Sequence, residues 1–222
     1  MSTELHRVTQ RAKEHPQERF TALSHHLDEE LLADTWQKLN KRGAVGVDKV
    51  TVAEYASDLE TNIRKLVDRQ REHSYRAPNV RRVHIPKPGQ PSKLRPLGIP
   101  TLEDRLLQSA TARILSAVYE ADFLDCSYGF RPGRNPHQAI ARVRTALLTE
   151  PYEWVCEADI RGFFDNLDHK WLIRMLELRI GDPWILRLIK KWLVADIQQA
   201  DGIGKPIKGS PQGGLCKASD NE

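Results

Sequence analysis

Along the first third of the chain, apolar residues recur at helical spacing. Leu27, Leu31, Leu32, Trp36 and Leu39 predict an amphipathic helix over residues 27–40. Gly43 and Gly46 break that pattern, and Thr51 can cap a second helix whose stripe is Tyr55, Leu59, Ile63, Leu66 and Val67. From residue 79 the period changes. Val80, Val83 and Ile85 lead into Pro86-Lys87-Pro88-Gly89-Gln90-Pro91, and Leu94 to Ile99 follows, which predicts a hairpin with a proline- and glycine-rich turn. Thr101 then caps a long helix buried through Leu106, Leu107, Ala110, Ile114, Leu115 and Val118, with Glu103 and Asp104 at its positive end.

The second half alternates more quickly. Ser127-Tyr128-Gly129-Phe130-Arg131-Pro132-Gly133-Arg134 is a loop in which aromatics and arginines interleave. Such a loop suits base stacking and phosphate contact, and it suits ordinary packing equally well. Ala139 to Leu148 predicts a short helix, and Trp154-Val155-Cys156 predicts a strand ending at Asp159. A helix over 169–180 follows, with Leu172, Ile173, Leu176 and Ile180 as apolar positions. Asp182 and Pro183 then open another, with Ile185, Leu188, Ile189 and Leu193 along one side. Residues 196–210 predict a second hairpin leading into Ser210-Pro211-Gln212-Gly213-Gly214. No repeat or clear linker divides the chain.

Composition narrows the class. The 222 residues are 40% hydrophobic and 29% charged, which fits a globular protein rather than disorder. No run approaches the roughly 18 apolar residues of a spanning helix, and Met1 to Phe20 has no apolar core of a signal peptide, so the expectation is a cytoplasmic protein without a membrane. Cys126, Cys156 and Cys216 are far apart and read as free thiols, and the neighbours His25 and His26 read as surface residues. A net charge of +4 is only a mild sign of nucleic acid. The clustering of Arg81, Arg82, Lys87, Lys93, Arg95 and Arg105 matters more, although a solvated basic face would look the same.

The segment Glu157-Ala158-Asp159-Ile160-Arg161-Gly162-Phe163-Phe164-Asp165-Asn166 carries the candidate chemistry. Nucleotidyl transfer uses two divalent ions roughly 3.5–4 Å apart, held by hard oxygen ligands. A strand-end carboxylate at Asp159 with the carbonyl of Ile160 would supply part of that cage, and the ring of Phe164 would lie under the sugar of a nucleotide and exclude a 2′-hydroxyl. Taken alone, the pattern favours the plainer reading, in which Asp159 ends a strand and Phe163 and Phe164 lie in the core. Asp165 and Asp168 read as turn and cap residues.

The ordered set of motifs decides between these readings. Val83-His84-Ile85-Pro86-Lys87-Pro88-Gly89, Lys93-Leu94-Arg95-Pro96-Leu97-Gly98-Ile99-Pro100-Thr101 and Asp104-Arg105 come first. They precede Ser127 to Gly133, Ala158-Asp159-Ile160 with Phe163-Phe164-Asp165, and Pro211-Gln212-Gly213-Gly214. Together with Gly46-Val47-Asp48 and Thr51, this closely resembles the reverse transcriptase domain of group II intron-encoded reverse transcriptase/maturases, over roughly residues 30–214.

The resemblance implies an α+β, right-hand polymerase fold of fingers and partial palm, with an antiparallel palm sheet backed by helices. It divides the chain into an N-terminal extension (1–29), fingers and early palm (30–150), partial palm (151–214) and a divergent tail (215–222). It implies RNA-directed DNA polymerase activity with Mg2+, acting on an RNA template or intron RNA, a DNA primer and deoxynucleoside triphosphates. Asp159 would be the first catalytic aspartate and, with the Ile160 carbonyl, a metal ligand. Lys87 and Arg95 would contact the triphosphate, Phe164 would gate the sugar, and Gln212 and Gly213 would line the nucleotide pocket. Arg81, Arg82, Lys93, Arg105, Arg131 and Arg134 are the candidate RNA contacts.

After Gly214 the family pattern gives way to Leu215-Cys216-Lys217-Ala218-Ser219-Asp220-Asn221-Glu222, and no Tyr-x-Asp-Asp motif follows. The expectation is an interrupted reading frame and a chain that does not polymerise alone. The alternatives are an RNA-binding fragment without catalysis and a reverse transcriptase of retron or defence type.

Overall fold

The computed structural model describes residues 3–87, 89–199, 202–206 and 208–210, with the side chains of residues 3, 87, 90, 91 and 93 left aside. Two helices open the chain. α1 (Thr3–Glu14) buries Leu5, Val8 and Ala12, and a 3-10 turn at Ser24–His26 precedes α2 (Glu29–Lys38). Asp28 caps α2 by accepting from the Leu31 N–H at 2.8 Å, and Leu31, Leu32 and Trp36 form its buried stripe. α3 (Val52–Ser57) begins with a reciprocal capping box between Thr51 and Glu54, and α4 (Leu59–Arg71) buries Ile63, Leu66 and Val67.

The predicted hairpin is present as β1 (Val80–Lys87) and β2 (Gln90–Ile99), with Ile85 opposite Arg95 and Arg81 opposite Ile99. α5 (Leu102–Tyr119) follows at once, capped by the Thr101 hydroxyl, and is the central element of the core. Leu102, Leu106, Leu107, Ile114 and Val118 are all fully enclosed. Gly46 lies against the β2–α5 junction so closely that a Cβ there would sit 2.6 Å from the Thr101 Cα, so the 40–50 loop can seat only with glycine at that point.

α6 (Pro136–Thr149) is longer than the predicted 139–148, because Asn135 and Gln138 form a capping box and Pro136 suits the first turn. It contributes no residue to the core. A single turn, α7 (Phe163–Asn166), leads to α8 (His169–Glu177), which Asp168 caps, and to α9 (Pro183–Leu193), which Asp182 caps. β3 (Ile197–Gln199) and β4 (Gly202–Gly204) form the second hairpin. The sheet order is β2-β1-β3-β4, and β1 runs parallel to β3. The arrangement is α+β, with two antiparallel hairpins joined by one parallel pairing.

Two buried polar residues tie distant segments together. Asp182 accepts from the Leu23 and Ser24 N–H groups, both at 2.7 Å, and from those of Trp184 and Ile185. Arg179 pairs with Asp122 at 2.9 Å and donates to the carbonyls of Ala12, His15, Pro16 and Glu18, closing the C-terminal end of α1. Residues 5–27 therefore share one core with the described helices α2, α4, α5, α8 and α9.

The predicted strand ending at Asp159 does not form. Residues 151–160 are extended or irregular and exposed throughout, with Trp154 89% accessible. A strand needs a neighbour to satisfy its backbone, and among the described residues none lies alongside this segment.

Candidate functional site

The candidate site is built around α7. Gly162 enters it in the left-handed conformation, at φ +62°, and two successive N–H groups, of Asp165 and Asn166, return to the Gly162 carbonyl. This one-turn reversal holds Phe163 and Phe164 edge-on at 5.4 Å. Phe163 is turned outward, while Phe164 is half-buried beside an apolar cavity of about 290 Å³ that also touches Gly98, Leu115, Leu172 and Trp192.

The turn is fastened to the residues leading into Pro211. The Ser210 N–H donates to the Phe164 carbonyl and the Gly209 N–H to the Leu167 carbonyl, both at 2.8 Å. His169 Nε2 lies 2.6 Å from the Gly209 carbonyl. Gly209 has φ +85°, and a Cβ there would meet the Phe164 and Asp165 carbonyl oxygens at 2.8 and 2.9 Å. The folded chain thus brings together residues 164 and 210, which the sequence links only through motif order. Gln212 and Gly213 themselves lie outside the described residues.

The basic hairpin supplies the other candidate contacts. Arg81 and Arg95 share one face, since each is opposite or in phase with Ile99, and Arg82 is on the other face opposite Gly98. Arg81, Arg95 and Arg105 each have a buried Nε without a hydrogen-bond partner among the described residues. Burial also lowers the affinity of Arg105 for its proton, an effect partly offset by Asp48. Lys87 ends β1 next to the turn, and Lys93 lies on β2.

The arginines of the 127–134 loop have different surroundings. Arg131 is buried, and its guanidinium is engaged by Glu120 and by the Leu124 and Ser127 carbonyls. It organises the loop from within, in place of the surface role in RNA contact that the sequence pattern suggests. Arg134 pairs with Asp125 at 3.1 Å, lies over the Tyr128 ring and stays partly accessible.

Asp159 and Ile160 are exposed, on the unpaired segment before α7. Among the described residues, the one grouping of three metal-ligating side chains is Glu4, His25 and His26, not a cluster that includes Asp159. There His26 Nδ1 lies 3.1 Å from a Glu4 carboxylate oxygen, and burial, aided by His25, pushes the His26 pKa down.

Sequence reasoning passes over a buried network beneath the hairpin. Tyr75 donates to Asp104, and Trp192 Nε1 donates to the Tyr75 hydroxyl at 2.9 Å. Burial pushes the Asp104 carboxyl up to about 7. No local pattern announces this, because Tyr75 and Trp192 are 117 residues apart.

Comparison with known proteins gives a consistent result. The sequence profile described as reverse transcriptase (RNA-dependent DNA polymerase) matches residues 85–216. The group II intron-encoded protein LtrA of Lactococcus lactis subsp. cremoris is 34% identical over 212 residues, covering 95% of this chain and 35% of that protein. Protein YkfC of Escherichia coli (strain K12) is 36% identical over 183 residues, 80% of this chain and 47% of that one. The mitochondrial nuclear intron maturase 1 of Arabidopsis thaliana is 33% identical over 94 residues, 42% of this chain and 13% of that protein. Among solved structures, a chain of a partial Cas6-RT-Cas1–Cas2 complex matches 88% of this chain and 32% of its own, at TM-score 0.55 and 27% identity. The chain spans about a third of the first of these relatives and about half of the second.

Proposed function

The chain belongs to the reverse transcriptase family, and on that premise we propose that it carries the fingers and early palm of an RNA-directed DNA polymerase of group II intron-encoded type. Its substrates in that role are an RNA template or intron RNA, a DNA primer and deoxynucleoside triphosphates, and its place is the cytoplasm. Lys87 and Arg95 hold the triphosphate, a task suited to paired cations on a hairpin. Phe164 lies under the sugar, and Gln212 and Gly213, outside the described residues, are assigned to the lining of the same nucleotide pocket.

The observation that carries this reading is the fastening of Phe164 to Ser210, which keeps the sugar-gating ring next to the start of the Pro-Gln-Gly-Gly element. Similarity to group II intron-encoded proteins over 95% of the chain supports it.

Reverse transcriptases generally use divalent metal ions, and magnesium is the ion this reading assigns. The described residues do not gather a complete cage for it. Asp159 and the Ile160 carbonyl are exposed, and no cluster of three or more ligating side chains includes Asp159 among the described residues. Two ions require more oxygen ligands than this. The chain's own residues therefore bind and orient, and no metal-dependent step is assigned to them.

A second reading is favoured by the same exposure of Asp159: a module that grips RNA through its basic fingers without catalysis. Titration with a deoxynucleoside triphosphate and its ribonucleotide counterpart separates the two. The polymerase reading expects preference for the deoxy form, lost in Phe164→Ala. Equal affinity for both sugars in the parent chain, with RNA binding intact, would favour the module.

A further inference from the structure

Glu4, His25 and His26 meet at the surface beside the first turn of α1, with their ligating atoms all within 4.8 Å of one another. Each half of this group has an ordinary explanation by itself. A glutamate in a first helical turn complements the helix dipole, and adjacent histidines commonly face solvent in different directions. Neither explains why the two halves meet across 22 residues of sequence. His26 Nδ1 lies 3.1 Å from a Glu4 carboxylate oxygen, and the His25 and His26 rings stand 3.9 Å apart.

The backbone under the group is anchored on both sides. Leu5 and Val8 are buried in the core and hold the turn of α1 that carries Glu4. Asp182 accepts from the Leu23 and Ser24 N–H groups at 2.7 Å and so fixes the 3-10 turn that carries both histidines. Ligands bonded to one ion at about 2.0–2.2 Å stand roughly 3–4 Å apart, which the exposed Glu4 and His25 side chains can reach by rotation. The local charge admits a cation: Glu18 neutralises Arg11 at 2.6 Å, and Asp28 adds a negative field at His26. Arg7 and Arg19 border the adjoining hollow of about 370 Å³, where an anion or water can lie beside the metal. Two imidazole nitrogens and one carboxylate form a set that suits zinc, whereas magnesium prefers oxygen ligands throughout.

We propose that Glu4, His25 and His26 bind one zinc ion, which staples the first turn of α1 to the 3-10 turn and keeps a fourth position open toward the hollow. The ion takes the place of the proton shared between His26 and Glu4, and that proton passes to solvent. This inference is independent of the polymerase reading and of the magnesium that reading assigns.

The test is calorimetric titration of zinc chloride into the 222-residue chain, free of any histidine tag and with magnesium in excess. The parent is expected to bind one zinc ion per chain in the micromolar range or tighter, undisturbed by magnesium. Glu4→Gln and His25→Asn each weaken binding about tenfold or more, the scale set by the loss of groups that merely support a ligand. Both residues are exposed, so these variants keep the fold. His137→Asn, at an exposed position on α6, is the control and keeps the parent affinity. Thermal unfolding gives a second readout: saturating zinc raises the Tm of the parent and leaves that of Glu4→Gln where it was. Parent affinity retained in the combined Glu4→Gln/His25→Asn/His26→Asn variant overturns the proposal. So does an equal loss in the His137→Asn control, displacement of zinc by magnesium, or a zinc-dependent rise in Tm that survives Glu4→Gln.

Discussion

The Ser210 N–H donates to the Phe164 carbonyl at 2.8 Å, and Gly209 at φ +85° is what lets the two meet. Alanine at residue 209 would combine an unfavourable backbone conformation with a collision against two carbonyl oxygens. Gly209→Ala is expected to cost roughly 1–3 kcal/mol, and to weaken nucleotide binding with little effect on α1 to α5. Denaturant titration alongside hydrogen exchange at Ser210 checks this. An unchanged exchange rate would contradict it.

Asp182 links the 3-10 turn to α9. Burial alone would raise its pKa, but backbone N–H donors at Leu23, Ser24 and Ile185 outweigh burial and hold the carboxyl below its usual range. Hydrogen bonds to a charged group contribute a net of about 1.5–3 kcal/mol each, so Asp182→Ala is expected to cost about 3 kcal/mol or more. Because the folded pKa is depressed, the stabilisation is present above the ordinary Asp range and is lost as pH falls through the folded value. Chemical unfolding of parent and variant between neutral and acidic pH measures the difference, which should shrink on acidification.

Asp104 behaves oppositely. Its folded pKa of about 7 lies above the ordinary 3.8, so the folded state keeps a proton that the unfolded chain releases. Stability should therefore fall as pH rises from about 4 to about 7 and level off beyond. Asp104→Asn, which keeps the shape and a neutral group, should flatten that decline. A parallel pH profile in parent and variant would contradict the assignment.

Two tryptophans of opposite exposure give a packing test. Trp184 is 4% accessible and Trp154 is 89% accessible. Trp184→Ala is expected to cost about 3–5 kcal/mol, and Trp154→Ala less than about 0.5 kcal/mol. Equal losses would mean that residues 151–160 are paired in solution.

What was legible in the sequence was local. The 80–99 hairpin announced itself through its turn, and Thr51, Thr101, Asp168 and Asp182 announced helix starts, because a cap and its donors lie within three residues. The strand expected at 154–159 required a partner from elsewhere, and local pattern cannot supply one. Arg131 reads as a candidate RNA contact and Arg179 carries no motif, yet each closes a loop or a helix end by gathering carbonyls. At the candidate site, the family resemblance assigns Phe164 and Gln212 to one nucleotide pocket, while the fastening at Gly209 needed three-dimensional contacts to appear.

Exposure of Asp159 leads to an expectation about catalysis. This chain should show no incorporation in RNA-templated primer extension with magnesium. Extension that disappears in Asp159→Ala would contradict this and show that the chain itself holds a working metal site.

The most direct test of the central claim is deoxynucleoside triphosphate binding to the parent chain and to Lys87→Ala and Arg95→Ala. If the hairpin holds the triphosphate, each substitution weakens binding by about tenfold or more, as expected for a lost charge-assisted contact. Affinities unchanged by both substitutions would contradict the account.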